Sequence, residues 1–88
     1  MGKRTRLPAN IGQALKTLRL DRGLHQRELA AQMGVSQSEI SQRENRADIH
    51  LMRLREHIRA LGGDVVVTLK FGAREYSLRL IDGQGAPE

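Results

Sequence analysis

Apolar residues recur at helical spacing near the start of the chain. Ile11 and Leu15 begin a series of apolar positions three or four residues apart, with polar residues between them, which predicts an amphipathic helix. Asn10 is a suitable N-cap, and Gly23 can supply the left-handed residue with which many helices end. We therefore expect a first helix between these two residues, preceded by a basic flexible arm over residues 1–9.

Two short helices follow, joined by a tight turn. Glu28 is placed to receive first-turn N–H groups of a helix whose Leu29 faces inward. Gly34 ends that helix, and Ser36 with Glu39 forms a capping box that starts the next one almost at once. Two short helices joined by about three residues, one of them glycine, form the pattern of a helix-turn-helix.

After the helix-turn-helix, the sequence predicts a fourth helix and then a change from helical spacing to strand-like alternation. Asp48 can cap a helix that stops at the glycine pair 62–63. Its apolar stripe consists of Leu51, Leu54, Ile58 and Leu61. Beyond the glycines, apolar and polar residues alternate over 65–71, and the alternation resumes at Tyr76 after a turn. A period of two on both sides of a turn predicts a β-hairpin.

The predicted fold is mainly α, with a four-helix helix-turn-helix domain over residues 10–62, a hairpin over 63–82 and a flexible tail over 83–88. An isolated two-stranded hairpin is marginal in water, so we expect another chain to cover it, either in a dimer or in a complex with a partner protein. The hairpin residues concerned are Val65, Val67, Leu69, Phe71, Tyr76 and Leu78. Two hairpins paired across a two-fold axis would make a continuous sheet and favour a palindromic DNA site.

The third helix is unusually polar. One arc of it carries only uncharged hydrogen-bonding residues, namely Gln37, Ser38, Ser41, Gln42 and Asn45. The opposite side has a single fully apolar residue, Ile40, and folding alone explains such a helix poorly. Short amides and hydroxyls match the paired donors and acceptors that base edges present in the major groove of DNA. The arc therefore predicts a DNA-recognition helix.

The stretch LRLDRGLHQRELAAQMGVSQSEISQRENR resembles the Xre and lambdoid-repressor family of helix-turn-helix proteins, and the resemblance extends over residues 11–61. It implies base contacts from Gln37, Ser38 and Gln42 and contacts to the DNA backbone from Gln26, Ser41, Asn45 and Arg46. It also implies a structural ion pair between Arg19 and Glu44. Arg43 departs from the family pattern, which has an apolar residue there. Its stem can cover Leu51 while its guanidinium reaches Asp48 or a phosphate.

The end of the chain, ALGGDVVVTLKFGAREYSLRL, is similar to that of compact Xre-type antitoxins, including HigA-like ones. This resemblance implies an antitoxin of a type II toxin-antitoxin pair, which represses its own operon and neutralises a toxin of the RelE/HigB type. The alternative is a free-standing phage or plasmid repressor in which the hairpin serves only to form a homodimer.

Composition supports a nucleic-acid partner and argues against several other classes. The 88 residues include 15 Lys and Arg against 10 Asp and Glu, a formal charge of +5 that favours polyanions. There are no cysteines, and the three histidines are scattered, so we expect no metal, no cofactor and no catalytic site. No apolar run predicts a membrane span, and the expected location is the bacterial cytoplasm. RNA binding is one alternative, but the chain lacks an aromatic pair suited to base stacking. A pure protein-interaction module is another, and it would be recognised by its failure to retard any duplex DNA.

Overall fold

The computed structural model describes residues 5–81 of the chain. In these residues four helices precede a two-stranded antiparallel sheet, which confirms the predicted fold class. The elements are α1 (Ile11–Asp21), α2 (Gln26–Met33), α3 (Gln37–Glu44), α4 (Leu51–Ala60), β1 (Val66–Phe71) and β2 (Arg74–Arg79). Two compact units divide between Ile49 and His50. The first four residues of the expected N-terminal arm and all of the expected tail lie outside the described residues.

The first unit contains α1, α2 and α3, whose ends follow from local signals. The side chain of Asn10 accepts a hydrogen bond from the N–H of Gln13 (3.1 Å) at the start of α1. Gly34 closes α2 with a φ of +70°, a conformation that suits glycine. The hydroxyl of Ser36 then accepts from the N–H of Glu39 (3.0 Å) to begin α3. These caps confirm the predicted boundaries of the helix-turn-helix.

The core of this unit is small and aliphatic. Both α1 and α2 pack against α3, and the buried apolar side chains are Leu15, Leu29, Ala30 and Ile40. Since α3 contributes only Ile40 to this apolar set, the rest of its surface remains available for polar side chains.

The second unit begins with α4, and here two local predictions are wrong. The N-cap is His50 rather than Asp48, because the Asp48 carboxylate accepts from the N–H of the next residue, Ile49 (2.8 Å). Leu51 was expected in the apolar stripe but is 41% exposed. The buried stripe instead includes His57, which is fully buried, with Leu54, Ile58 and Leu61 at the spacing of successive helical turns.

The hairpin connects β1 and β2 through a two-residue turn at Gly72 and Ala73. Gly72 has a φ of +61°, which glycine adopts without strain, and Phe71 pairs with Arg74 across the turn. The second strand therefore starts at Arg74, two residues earlier than Tyr76, the residue at which the sequence alternation predicted its start. Val67 lies opposite Leu78 and Leu69 opposite Tyr76, so these apolar side chains share one face, as predicted.

Candidate nucleic-acid interface

The polar arc of α3 forms an exposed strip on the first unit. Gln37, Ser38, Gln42 and Asn45 are exposed, and Ser41 is half-buried. The opposite side of the helix is buried through Ile40, Arg43 and Glu44. The structure therefore brings together on one surface all five uncharged side chains that the sequence singled out, with the helix anchored from behind.

The side chains of this strip contact one another. The amide nitrogen of Gln42 donates to the hydroxyl of Ser38 (3.2 Å), and the amide oxygen of Gln42 accepts from the guanidinium of Arg46 (3.3 Å). The amide nitrogen of Asn45 donates to the carbonyl of Ser41 at the end of the helix (2.8 Å). The exposed side chains of Gln42 and Asn45 are thus held by neighbouring groups.

A buried network fixes α3 relative to the other two helices. Arg19 of α1 donates to the Glu44 carboxylate through Nε (2.6 Å) and Nη2 (3.1 Å), so the ion pair implied by the family resemblance is present in the structure. Arg19 also donates to the carbonyl of Leu24 (2.7 Å). Such a bidentate pair fixes the relative orientation of the two side chains in addition to attracting them.

Gln26 joins the same network, a contact that the sequence did not reveal. Its side chain nitrogen donates to Glu44 Oε1 (3.0 Å), which links the first residue of α2 to the last residue of α3. An amide nitrogen carries two N–H donors, so this contact leaves one donor for an anion in front of the helix. No sequence signal could indicate this hydrogen bond, since Gln26 and Glu44 are 18 residues apart and no local pattern shows that they meet.

Arg43 is used structurally rather than presented to solvent, and its ion pair is with a residue of its own helix. It is 4% exposed, and its Nε donates to the Glu39 carboxylate one turn earlier (2.9 Å). A guanidinium so deeply buried is not presented to a phosphate in solvent, and the expectation of such a contact is wrong. The spacing of four residues between Glu39 and Arg43 was a usable signal, because oppositely charged residues at this spacing meet on a helix.

Gly12 positions the residues that follow α3 and was missed in the sequence. Its N–H donates to the carbonyl of Arg46 (2.9 Å). A Cβ atom at this glycine would lie against that same carbonyl oxygen and 2.6 Å from the carbonyl oxygen of Glu44. Only a residue without a side chain lets α1 approach the end of α3 this closely.

An open depression of about 560 Å³ adjoins the strip at the start of α2. Its lining residues are Arg19, His25, Gln26, Arg27, Glu28 and Gln37. The N–H groups in the first turn of a helix favour anions, and Arg27 adds a cationic side chain beside them, while the Glu28 carboxylate on the same lining accepts from the N–H of His25 (2.8 Å). The depression and the strip together can receive a phosphate and the edges of bases.

The described part of the chain bears on two other kinds of feature, metal sites and membrane spans. Residues 5–81 contain no group of three His, Asp or Glu side chains placed to hold a metal ion. None of the helices in that range has the length and apolar character that a bilayer span requires.

Comparison with known proteins assigns this arrangement to a family. A family model described as Helix-turn-helix matches residues 15–66. A solved structure described as "DNA bound antitoxin HigA3" is 30% identical, with a TM-score of 0.72, and the match covers 80% of this chain and 94% of that one. Another, described as "Induced DNA bending by unique dimerization of HigA antitoxin", is 29% identical, with a TM-score of 0.72 and coverage of 88% and 100%. No curated protein sequence matches the chain.

Proposed function

The chain belongs to the Xre-type helix-turn-helix family, and from this premise we propose that it is a sequence-specific repressor that reads the major groove of duplex DNA with α3. The observation that carries the proposal is the strip of exposed amides and hydroxyls on a helix anchored from behind by a buried ion pair. An α-helix fits the major groove, where each base pair presents a distinct pattern of donors and acceptors.

The proposed contacts divide into two groups. Gln37 and Ser38 lie in the first turn of α3, and Gln42 follows Ser38 by one turn on the same exposed face, so these three side chains address base edges. The remaining side chains flank this group and address phosphates, namely Gln26, Ser41, Asn45 and Arg46. Phosphate contacts set position and orientation, whereas base contacts set sequence preference.

Gln37 offers the most direct test of sequence reading. We expect Gln37→Ala to cost about 1 to 3 kcal/mol of binding to the protein's own promoter and to leave binding to random duplex unchanged, because it removes a base contact and no charge. Titration by fluorescence anisotropy on both duplexes measures this difference. Gln32→Ala removes the same side chain from an exposed position on α2 and should change neither affinity; equal losses on both duplexes from Gln37→Ala would contradict the assignment.

The hairpin supports a homodimer as the second part of the proposal. Leu69, Phe71, Tyr76 and Leu78 are 44%, 66%, 47% and 41% exposed, although they share the apolar side of the sheet. They surround a shallow depression of about 460 Å³. Pairing only the strand edges would leave these side chains in water, so we assign this face to contact with a second copy. A two-fold dimer presents two copies of α3 to successive half-sites of a palindrome.

An antitoxin role is the finer part of the proposal. Two similar structures are named as HigA antitoxins, and by analogy this chain would repress its own operon and neutralise a toxin of the RelE/HigB type. Co-expression with the product of the adjacent gene tests this role. Rescue of growth and a stable complex would support an antitoxin, while a harmless neighbour and a homodimer that binds DNA alone would favour the free-standing repressor.

A further inference from the structure

From the contacts around Gln42 we infer that Arg46 is a positioning residue, which fixes the orientation of the Gln42 amide and so decides which base this side chain prefers. The inference rests on the proposed DNA-binding function and assigns Arg46 a role beyond a phosphate contact. It is based on the two hydrogen bonds of the exposed Gln42 amide. Its oxygen accepts from Arg46, and its nitrogen donates to Ser38.

The chemistry of the two partners makes Arg46 the deciding one. A serine hydroxyl either donates or accepts, so Ser38 tolerates both orientations of the amide. A guanidinium has only donors, so it donates to the amide oxygen and repels the amide nitrogen, which is itself a donor. With Arg46 in place, Gln42 holds its oxygen toward Arg46 and its nitrogen toward Ser38.

The backbone of Arg46 is held independently of its side chain. Its carbonyl accepts from the N–H of Gly12 (2.9 Å), and its own N–H donates to the carbonyl of Arg43 (3.3 Å). Replacing the exposed Arg46 side chain therefore leaves the chain path at the end of α3 in place. An altered base preference would then report the lost side chain contact.

The fixed amide has a defined recognition surface. Its oxygen has a second lone pair and its nitrogen a second hydrogen, which together form an acceptor beside a donor. This pair matches the N6 amino group and N7 of adenine in the major groove. A freely rotating amide could present its oxygen and nitrogen in either arrangement. Fixing it in one arrangement on binding would cost conformational entropy, and much of the preference for adenine would be lost.

The test compares base preferences in Arg46→Met with those in the matched variant Arg27→Met, which removes an equal charge from the depression beside α2. Binding is titrated on the protein's promoter and on duplexes with each operator base pair changed in turn. We expect the wild type to prefer adenine about tenfold or more at the Gln42 position. Arg46→Met should reduce this preference to about threefold or less, whereas Arg27→Met should weaken all duplexes alike. Arg46→Lys restores a cationic donor and should recover part of the preference.

A measurement without DNA completes the test. In the free protein, the side chain amide of Gln42 should show a lower NMR order parameter in Arg46→Met than in the wild type, while the amide of Gln37 stays the same. Unchanged base preferences and an unchanged Gln42 amide in Arg46→Met would overturn the inference. A wild-type protein that discriminates among no duplexes would instead overturn the proposed function, so the two failures are distinguishable.

Discussion

At the scale of single residues, Glu44 is the central charge of the first unit. Its carboxylate accepts from two nitrogens of Arg19 and from the side chain of Gln26, and both members of the ion pair are almost completely buried. The net stability of such a pair relative to an apolar replacement is small, but a lone buried charge is costly. The network therefore defines the placement of α3 more than it adds to the free energy of folding.

Glu44→Ala should lower the free energy of unfolding by about 3 to 5 kcal/mol, because it leaves the Arg19 guanidinium buried without its counter-ion. Urea denaturation followed by circular dichroism measures the loss. The double variant Arg19→Met with Glu44→Leu removes both charges and should recover most of it. A loss below about 1 kcal/mol in Glu44→Ala would show that the pair is not a buried constraint.

At the scale of elements, the approach of α1 to the end of α3 depends on a missing side chain. Gly12 lies inside α1, where alanine is ordinarily favoured over glycine by about 1 kcal/mol. The carbonyl groups of Glu44 and Arg46 occupy the space that a Cβ atom would need. Because backbone atoms cannot rotate aside as a side chain does, the close approach and the hydrogen bond from Gly12 to Arg46 require glycine.

Gly12→Ala should consequently destabilise the protein by about 1 to 3 kcal/mol, the usual cost of overpacking, despite the better helix propensity of alanine. Thermal and urea unfolding provide the measurement. Gln13→Ala changes the next residue, which is exposed, and should alter stability by no more than about 0.5 kcal/mol. If Gly12→Ala proved stabilising, the close approach of the two helices would be wrong.

At the scale of the whole molecule, the chain combines a basic composition with an apolar sheet face that is exposed among the described residues. The formal charge of +5 favours a polyanionic partner. The hairpin has two contrasting sides, since Lys70 and Glu75 form an exposed ion pair (3.7 Å) on one face, whereas Phe71 and Tyr76 meet edge to face on the other, with ring centres 5.8 Å apart. A large exposed apolar face is typical of an interaction surface.

Leu69→Lys should convert the proposed dimer into a monomer, because it places a charge in the centre of the apolar face. Sedimentation velocity measures the state of assembly, and affinity for a palindromic operator should fall with it, since one protomer then binds one half-site. Thr68→Lys introduces the same charge at the neighbouring exposed position on the opposite face and should remain dimeric. A dimer that survives Leu69→Lys would point to pairing through the strand edges.

Many features of this protein were readable in the sequence because they depend on neighbours in the chain. The N-caps at Asn10 and Ser36 and the glycine stop at Gly34 involve residues within one helical turn. The polar arc of α3 and the apolar face of the hairpin follow from helical and strand periods. The cap at Asp48 was misassigned, since its carboxylate accepts from the N–H of Ile49 and α4 begins after His50.

Tertiary structure decided what each of these side chains does. Sequence alone determined a helix-turn-helix followed by a hairpin, and the strip of residues that would face DNA. The buried position of Arg43, the link from Gln26 to Glu44 and the requirement for Gly12 became evident only in the folded chain. The physical reason is that the burial of Arg43 depends on how the helices pack. The contacts of Gln26 and Gly12 join residues far apart in sequence, so their distances and hydrogen-bond geometry exist only in the folded chain.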